Sequence, residues 1–290
     1  MKLIESRVEV IEQQPGLEGV YKQIELAGRT CYKSEDKITE DSAKEFVDRM
    51  IKSNHGAMLE HGTVYLKITY PISTSLSKEE FEKYIDEHRA EYALGNKLID
   101  DKYTKARAVS DDTYYTWYIT TNMRVLCTNL YNSLPWRDYI CEPTEHHEKR
   151  ITARFTCDRG VSHEIVRHRV MSFAQESTRY CNYSKDKFGN ELTFIKPHNE
   201  SVLTGPLEAN STFVTAMMQA EQNYLDMLDE GFKPQIARQV LPHALKTEVV
   251  VTGFESDWEH FFELRTAGAA HPDMRKLALE LQEKLNSVNK

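Results

Sequence analysis

The chain has 290 residues, of which 40% are hydrophobic and 28% charged, and its formal net charge is −8. This composition is typical of a globular protein with a sizeable core, and the acidic balance disfavours nonspecific binding of nucleic acid. No apolar run approaches the ~20 residues that cross a bilayer, and residues 1–14 carry acidic groups early, which predicts a first strand and not a signal peptide. We therefore expect neither a nucleic-acid nor a membrane partner.

The cysteines are odd in number, scattered, and without a C-x-x-C pair, which predicts reduced thiols in a cytoplasmic protein. A metal cluster of Cys141 with His146 and His147 is one alternative. A solvated polar connection is favoured, because no fourth ligand stands at a recognisable spacing. The five cysteines are Cys31, Cys127, Cys141, Cys157 and Cys181.

The first half of the chain predicts alternating helices and strands. Residues 41–54 place their apolar side chains on one helical stripe, and residues 62–71 alternate with period two, as a half-buried strand does. Residues 77–94 begin with Ser77 and Glu80 at capping-box spacing and predict a charged, exposed helix. Further on, the patterns predict a strand at 112–122, a short helix near 123–134, and a strand at 151–157.

The second half continues in the same way, without the steady strand–helix–strand rhythm of a doubly wound sheet. We therefore expect an α+β fold, with a mixed or antiparallel sheet flanked by helices. No glycine-rich phosphate-binding motif is present. The predicted elements are helices at 162–171, 206–230 and 234–242, a strand at 247–253, a helix at 256–265 capped by Ser256 or Asp257, and a last helix from Pro272.

Residues 162–180, SHEIVRHRVMSFAQESTRY, are rich in groups that carry chemistry. His163 and His168 are five residues apart, which on a regular helix separates them by ~140°, so they cannot share a metal ion. The surrounding arginines predict a pocket for small anions, with structural salt bridges as the alternative. These arginines are Arg150, Arg154, Arg159, Arg167, Arg169 and Arg179.

Within this stretch, Arg167, His168 and Arg169 are followed by the polar run from Gln175 to Arg179. Guanidinium groups suit phosphates, and backbone amides with hydroxyls in a polar turn complete an anion site. The composition is that of a nucleotide pocket.

The spacing resembles a known motif. Arg167-His168-Arg169 followed by seven residues and then Ser177 is similar to the R-H-R-x7-S motif of flavin-dependent thymidylate synthases. The similarity covers residues 1–73 and 150–285, which implies a single domain, residues 1–290, with an insertion at about 74–149. Four further segments resemble the family: AGRTCY at 27–32, HGAMLEHGTVYLKI at 55–68, IARQVLP at 236–242 and FFELRTAGAAHPDMRKLA at 261–278.

The resemblance implies a role for each matching residue. It implies a catalytic pair, in which Arg265 lies against the pyrimidine and Ser177 assists positioning without acting as a nucleophile. The implied cofactor-binding residues are His55, Ala57, Arg167, His168, Arg169, Gln175 and His260, joined by Asn122 and Arg124. The implied substrate-binding residues are Glu164, Arg167, Gln175, Glu176, Ser177, Thr178, Arg179, Arg238 and Arg265.

The chain departs from the family at two places. Glu164 stands where the family often has glutamine. The flavin-binding asparagine-x-arginine pair is replaced by Phe254 and Ser256. Asn122 and Arg124 repeat that pattern inside the insertion, either as a functional substitute or by chance similarity of a strand-to-helix turn.

The resemblance implies reductive methylation of dUMP to dTMP, with FAD, NADPH and 5,10-methylenetetrahydrofolate as cofactors, in a cytoplasmic homotetramer. A nucleotide-binding protein without turnover is the second hypothesis, since Phe254 and His260 depart from the flavin site. RNA binding through the arginines is the third, and it conflicts with the acidic balance.

Overall fold

The computed structural model describes residues 1–72, 76–127, 135–185, 188–198 and 211–288. The strands in this part of the chain are β1 (Lys2–Ile4), β2 (Arg7–Ile11), β3 (Thr63–Pro71), β4 (Lys105–Ser110), β5 (Tyr114–Asn122), β6 (Arg150–Asp158), β7 (Ser172–Gln175), β8 (Thr193–Ile195) and β9 (Lys246–Phe254). The helices are α1 (Gly16–Tyr32), α2 (Ser42–Lys52), α3 (Gly56–Leu59), α4 (Lys78–Glu87), α5 (Arg89–Ile99), α6 (Met123–Cys127), α7 (Arg159–Ile165), α8 (Thr212–Asp229), α9 (Pro234–Ala237), α10 (Glu255–Arg265) and α11 (Pro272–Val288).

The described strands form one central and two smaller sheets. The central sheet has the order β2-β6-β9-β7, and all its neighbours are antiparallel. A second antiparallel sheet has the order β3-β5-β4, and β1 pairs with β8 in parallel. The predicted α+β class, with mixed or antiparallel sheets flanked by helices, is confirmed.

Two antiparallel strand pairs of equal length dominate these sheets. β3 pairs with β5 from Thr63 opposite Asn122, and β6 pairs with β9 from Arg150 opposite Phe254. In each case a helix begins at the residue after the pair's second strand, α6 in the first and α10 in the second. Asn122 and Phe254 therefore occupy equivalent places at the ends of two similar strand pairs.

The apolar side chains form separate cores around these sheets. One core joins α1, α2 and α5 to β3 and β5, with Trp136 fully buried in it. A second core packs α7, α10 and α11 on the central sheet around Phe155 and Trp258. In this second core α11 buries Met274, Leu277, Ala278 and Leu281.

Several predicted boundaries were wrong for local reasons. The N-terminal strand is two strands in different sheets. The helix predicted at 77–94 is two helices, because the ring of His88 stacks on Tyr84 and its Nδ1 donates to the Tyr84 carbonyl, 3.0 Å away, where α4 ends. The capping box of Ser77 and Glu80 is confirmed.

Other predicted helices proved shorter. The helix predicted at 162–171 begins earlier, at Arg159, and ends at Ile165. The helix predicted near 123–134 is described to Cys127, and residues 128–134 and 206–210 lie outside the described residues. The helix from Pro234 changes to a 3-10 turn after Ala237. α10 starts at Glu255, and Asp257 accepts a hydrogen bond from the Phe254 amide, 3.0 Å away, from within the first turn.

Candidate active site

The R-H-R segment follows a short helix and alternates between solvent and core. The Asp158 carboxylate accepts from the Val161 amide at 2.8 Å and caps α7. After α7 the chain turns, so that Arg167 and Arg169 are exposed while His168 is only 8% exposed. Among the described residues, neither of the two exposed guanidinium groups has a hydrogen-bond or ion-pair partner.

Arg265 joins this segment to the end of α10. Its Nε donates to Nε2 of His168 at 3.0 Å, and one terminal nitrogen donates to the Glu164 carbonyl at 2.9 Å. The other terminal nitrogen pairs with the Glu164 carboxylate. Burial, and then the nearby charge of Arg265, lower the pKa of His168 to about 4. His168 is therefore a neutral acceptor at pH 7, and it orients the guanidinium.

The segment from Gln175 to Ser177 is anchored on both sides. The side-chain amide of Gln175 donates to the hydroxyls of Ser162, at 2.9 Å, and Thr247, at 3.3 Å. The Ser177 amide donates to the carbonyl of Cys31 at 3.0 Å, which ties the segment to the C-terminal end of α1. Ser177 is half-buried, and no described residue places an imidazole–carboxylate pair on its hydroxyl.

The next residues carry cationic and aromatic groups. Arg238 donates to the Thr178 hydroxyl at 3.2 Å, so the IARQVLP helix meets this segment. The side chain of Arg179 is exposed, and its guanidinium lies 5.5 Å from the ring of Tyr180. The Tyr180 ring is in turn 5.2 Å from that of Tyr32, in the AGRTCY segment.

A second cluster lies around the turn that begins at His55. His55 and Ala57 are exposed, and a Cβ atom on Gly56 would lie 3.1 Å from Nε of Arg124. Arg124 is paired with Glu60, and the Asn122 side chain accepts from the Val125 amide at 3.2 Å, which caps α6. The structure thus brings the HGAMLEHG segment together with Asn122 and Arg124.

Of the equivalent positions at the end of β9, Phe254 is buried, and Ser256 is exposed but hydrogen-bonded. Lys105 of β4 lies 4.7 Å above the ring of Phe254, and Lys105 also contacts the Ser256 hydroxyl. That hydroxyl donates to Glu148 at 2.6 Å. His260, which like Ser256 lies in α10, is exposed, and its ring is 6.2 Å from that of His168.

The arginines predicted to form one pocket have separate surroundings. Arg154 pairs with Glu9 at 2.6 Å in a structural salt bridge. Arg150 donates to the Glu60 carbonyl at 3.0 Å, and burial lowers its pKa to about 10. A terminal nitrogen of Arg159 is buried with no hydrogen-bond partner in the described part of the chain. Only the arginines from Arg167 onward belong to the predicted site.

The cysteines and nearby histidines form ordinary buried contacts. Burial raises the pKa of the Cys31 and Cys127 thiols to about 11 and that of Cys157 well above its usual value. His147 lies with Nε2 3.2 Å from the Leu66 carbonyl. Among the described residues, no group of three histidine, cysteine or acidic side chains is placed to hold a metal ion. In the same residues, no helix is long and apolar enough to cross a membrane.

Several residues that support the candidate site are not among those predicted from the sequence. Lys33, Lys246 and Glu248 form ion pairs that reach Glu176. Lys33 follows the end of α1, whereas Lys246 and Glu248 lie two residues apart on β9 and so share one face of that strand. Pairing of distant strands is what places them together.

Comparison with known proteins identifies the class. The model of thymidylate synthase complementing proteins matches residues 141–289, just over half of the chain. The chain belongs to this family. The match covers the second of the two predicted regions of resemblance, and residues 1–73 remain a prediction.

Individual relatives carry a more specific name. A flavin-dependent thymidylate synthase from Geobacter sulfurreducens is 32% identical over 130 residues, 45% of this chain and 53% of the relative. One from Pyrococcus abyssi is 30% identical over 129 residues, 44% of this chain and 51% of the relative. The chain thus spans about half the length of the curated relatives it matches. A solved structure, the UMP/dUMP methylase PolB from Streptomyces cacaoi bound with 5-Br dUMP, aligns with a TM-score of 0.43 and 15% identity, covering 99% of this chain and 93% of that chain.

Proposed function

We propose that this chain is a flavin-dependent thymidylate synthase, which methylates dUMP to dTMP with 5,10-methylenetetrahydrofolate as one-carbon donor and NADPH-reduced FAD as hydride source. One contact carries the proposal: Arg265 donates to His168, 97 residues away. It joins the late helix to the R-H-R segment, the two parts of the chain to which the resemblance assigns pyrimidine and flavin.

The residues present fit FAD. The flavin dinucleotide carries a pyrophosphate, and guanidinium forks without internal partners suit its oxygens. Arg167 and Arg169 meet that description among the described residues, and His168 would hold the flavin beside them. When bound, FAD supplies the hydride.

Asn122 and Arg124 are proposed to replace the family's asparagine-x-arginine pair. Support comes from Arg124, which borders Gly56 in the turn of His55 and Ala57. Phe254 is instead covered by Lys105. The exposed His260 is proposed to contribute to the same cofactor site from α10.

The nucleotide would be held by the segment that starts at Gln175. Its phosphate would meet the exposed Arg179, with Arg238 and the Thr178 hydroxyl on one side. Their contact at 3.2 Å gives a preformed pair of donors. Ser177 would position the uracil, and Glu176 and Glu164 complete the proposed set.

Arg265 is proposed to stabilise charge that develops on the pyrimidine. A guanidinium carries five N–H groups, and three of them are donated to His168, the Glu164 carbonyl and the Glu164 carboxylate. Five minus three leaves two, one on each terminal nitrogen. Because the guanidinium is held by its neighbours, these two free N–H groups can stabilise an enolate-like ring without reorganising during the reaction.

The cysteines need no role in this chemistry. Because burial keeps the Cys31 and Cys127 thiols protonated at neutral pH, they are poor nucleophiles. We expect a cysteine-free variant that folds and binds FAD to turn over dUMP. A covalent dUMP adduct mapped to one cysteine by mass spectrometry would contradict this mechanism.

The proposed architecture is one domain, residues 1–290, with an insertion at about 74–149, in a cytoplasmic homotetramer. Support for the insertion comes from the chain path, since α4, α5 and β4 lie between the paired strands β3 and β5. Support for the assembly comes from apolar side chains exposed beside the site, Val170 at 69% and Leu264 at 46%. Sedimentation velocity would measure the assembly.

The deciding experiment is the flavin spectrum of the purified protein with and without dUMP. We expect bound FAD that bleaches with NADPH and is reoxidised with dTMP formation when dUMP and methylenetetrahydrofolate are added. A protein that binds dUMP but takes up no FAD would instead be a nucleotide-binding protein without turnover. Retention of RNA at low salt, absent at high salt, would indicate the third hypothesis.

A further inference from the structure

Four side chains of alternating charge form a shielded row behind the segment from Gln175 to Arg179. Lys33 lies 2.6 Å from one oxygen of Glu248, and Lys246 lies 2.7 Å from the other. Lys246 also lies 2.9 Å from Glu176. The exposed fractions of these side chains are small, from 15% for both lysines to 2% for Glu176. We call Lys33, Glu248, Lys246 and Glu176 the charge row.

The charge row ends at two parts of the proposed site. Lys33 follows the AGRTCY segment at the C-terminal end of α1. At the other end Glu176 accepts from the Tyr183 hydroxyl at 3.0 Å, and its amide donates to the Glu248 carbonyl at 2.8 Å. Ser177 comes next in the chain and donates to the Cys31 carbonyl at 3.0 Å. Glu176, inside the nucleotide segment, is therefore held by Lys246, by the Glu248 carbonyl and by Tyr183.

Lys246 has a special place in the charge row. Among the described residues it is the cation in contact with Glu176, and it also holds one oxygen of Glu248. Burial raises the pKa of Glu248, but the charges of Lys246 and Lys33 outweigh this and lower it to about 2. Without Lys246, the shielded carboxylates of Glu176 and Glu248 would lose the cation they share, while Lys33 is divided between Glu248 and Glu35. A buried charge without a partner is strongly unfavourable.

We propose that Lys246 is a positioning residue, which holds Glu176 so that Ser177, Thr178 and Arg179 keep the conformation that receives the nucleotide. The inference rests on the proposed function, because it assigns the segment to dUMP. In this proposal Lys246 acts through Glu176, with which it is paired at 2.9 Å.

The test compares Lys246→Met, Lys246→Arg and a matched control. The control, Lys196→Met, removes the ion pair in which Lys196 lies 3.3 Å from Glu5. The Lys196 side chain is 40% exposed and lies outside the site. The affinity of each variant for dUMP is measured by calorimetric titration, at a temperature well below the melting temperature of the protein. We expect Lys246→Met to weaken dUMP binding by about tenfold or more, Lys246→Arg to restore most of it, and Lys196→Met to stay within about twofold.

A second measurement separates positioning from general stability. Cys181 is buried four residues after Ser177, and its amide donates to the Ser177 carbonyl at 2.9 Å. Cys157 is buried in β6. Thiol labelling read by mass spectrometry should show that Lys246→Met exposes Cys181 while Cys157 stays protected. A double variant, Lys246→Met with Glu176→Gln, should recover part of the protection because it removes the unpaired charge.

The outcomes separate the two proposals. Wild-type protein that binds dUMP, with Lys246→Met binding equally well, would overturn the inference and leave the proposed function intact. Equal labelling of Cys181 and Cys157 in Lys246→Met would also overturn it, because that indicates global destabilisation. Wild-type protein that binds no dUMP would overturn the proposed function, and the inference with it.

Discussion

Arg265→Lys is the change that most directly tests the proposed chemistry. The guanidinium donates three hydrogen bonds, one to His168 and two to Glu164. An ammonium group keeps the charge but loses the planar fork, so it cannot reproduce these bonds and still present two donors to the ring. Losing one preorganised donor to developing charge typically lowers the rate by about 10²–10³. We expect kcat to fall by about this factor, with a smaller change in dUMP affinity.

The assay is single-turnover oxidation of reduced flavin at saturating dUMP and methylenetetrahydrofolate, beside a dUMP titration. Arg275→Lys is a suitable control, since Arg275 is exposed on α11 and donates to the Thr266 carbonyl at 3.0 Å. The ground-state charge of the phosphate meets Arg179 and Arg238 in this proposal, so changes there should mainly raise KM. If Arg265→Lys oxidises flavin at the wild-type rate and only binds dUMP more weakly, Arg265 is an anchor and the proposed role is wrong.

Three further predictions concern reactivity, packing and pH. Ser177→Ala should retain measurable dTMP formation, and complete loss with intact dUMP binding would contradict a positioning role. Gly28→Ala should destabilise the fold by about 1–3 kcal/mol in urea unfolding, because the added Cβ would lie 2.4 Å from Cζ of Phe46 in a packed core. An unchanged unfolding midpoint would show that Phe46 moves without cost. Burial, and then Arg150, lower the pKa of His61 to about 3. As the pH falls, His61 therefore gains a proton in the unfolded chain before it does so in the folded protein. The free energy of unfolding should then fall by about 1.4 kcal/mol per pH unit as the pH drops below about 6.5. His61→Asn should lose that part of the slope between pH 6.5 and 5, and an identical slope would refute the assignment.

How much the sequence predicted depends on whether the signal was local. The helix at 41–54, the strands at 62–71 and 247–253, and the last helix were found because their apolar periodicity reports burial directly. Helix ends were less accurate, since individual side-chain contacts and turns decide them and apolar periodicity does not report these. The stacking of His88 on Tyr84 and the turn after Ile165 are two examples.

The same distinction between local and long-range signals applies to the candidate site. The R-H-R-x7-S spacing, the composition of the segment from Gln175 to Arg179 and the absence of metal-ligand spacing are properties of neighbouring residues, so the sequence alone determined them. Family membership rests on those residues too, since the matching region, 141–289, contains them.

Only the tertiary structure decided which distant residues meet. Pairing of β7 with β9 brings Glu176 within reach of Lys246, and the end of α10 returns Arg265 to His168. Pairing of β3 with β5 sets Arg124 against Gly56, while Lys105 of β4 lies over Phe254. These contacts depend on strand register and helix direction across some hundred residues, and no spacing within a single segment encodes them.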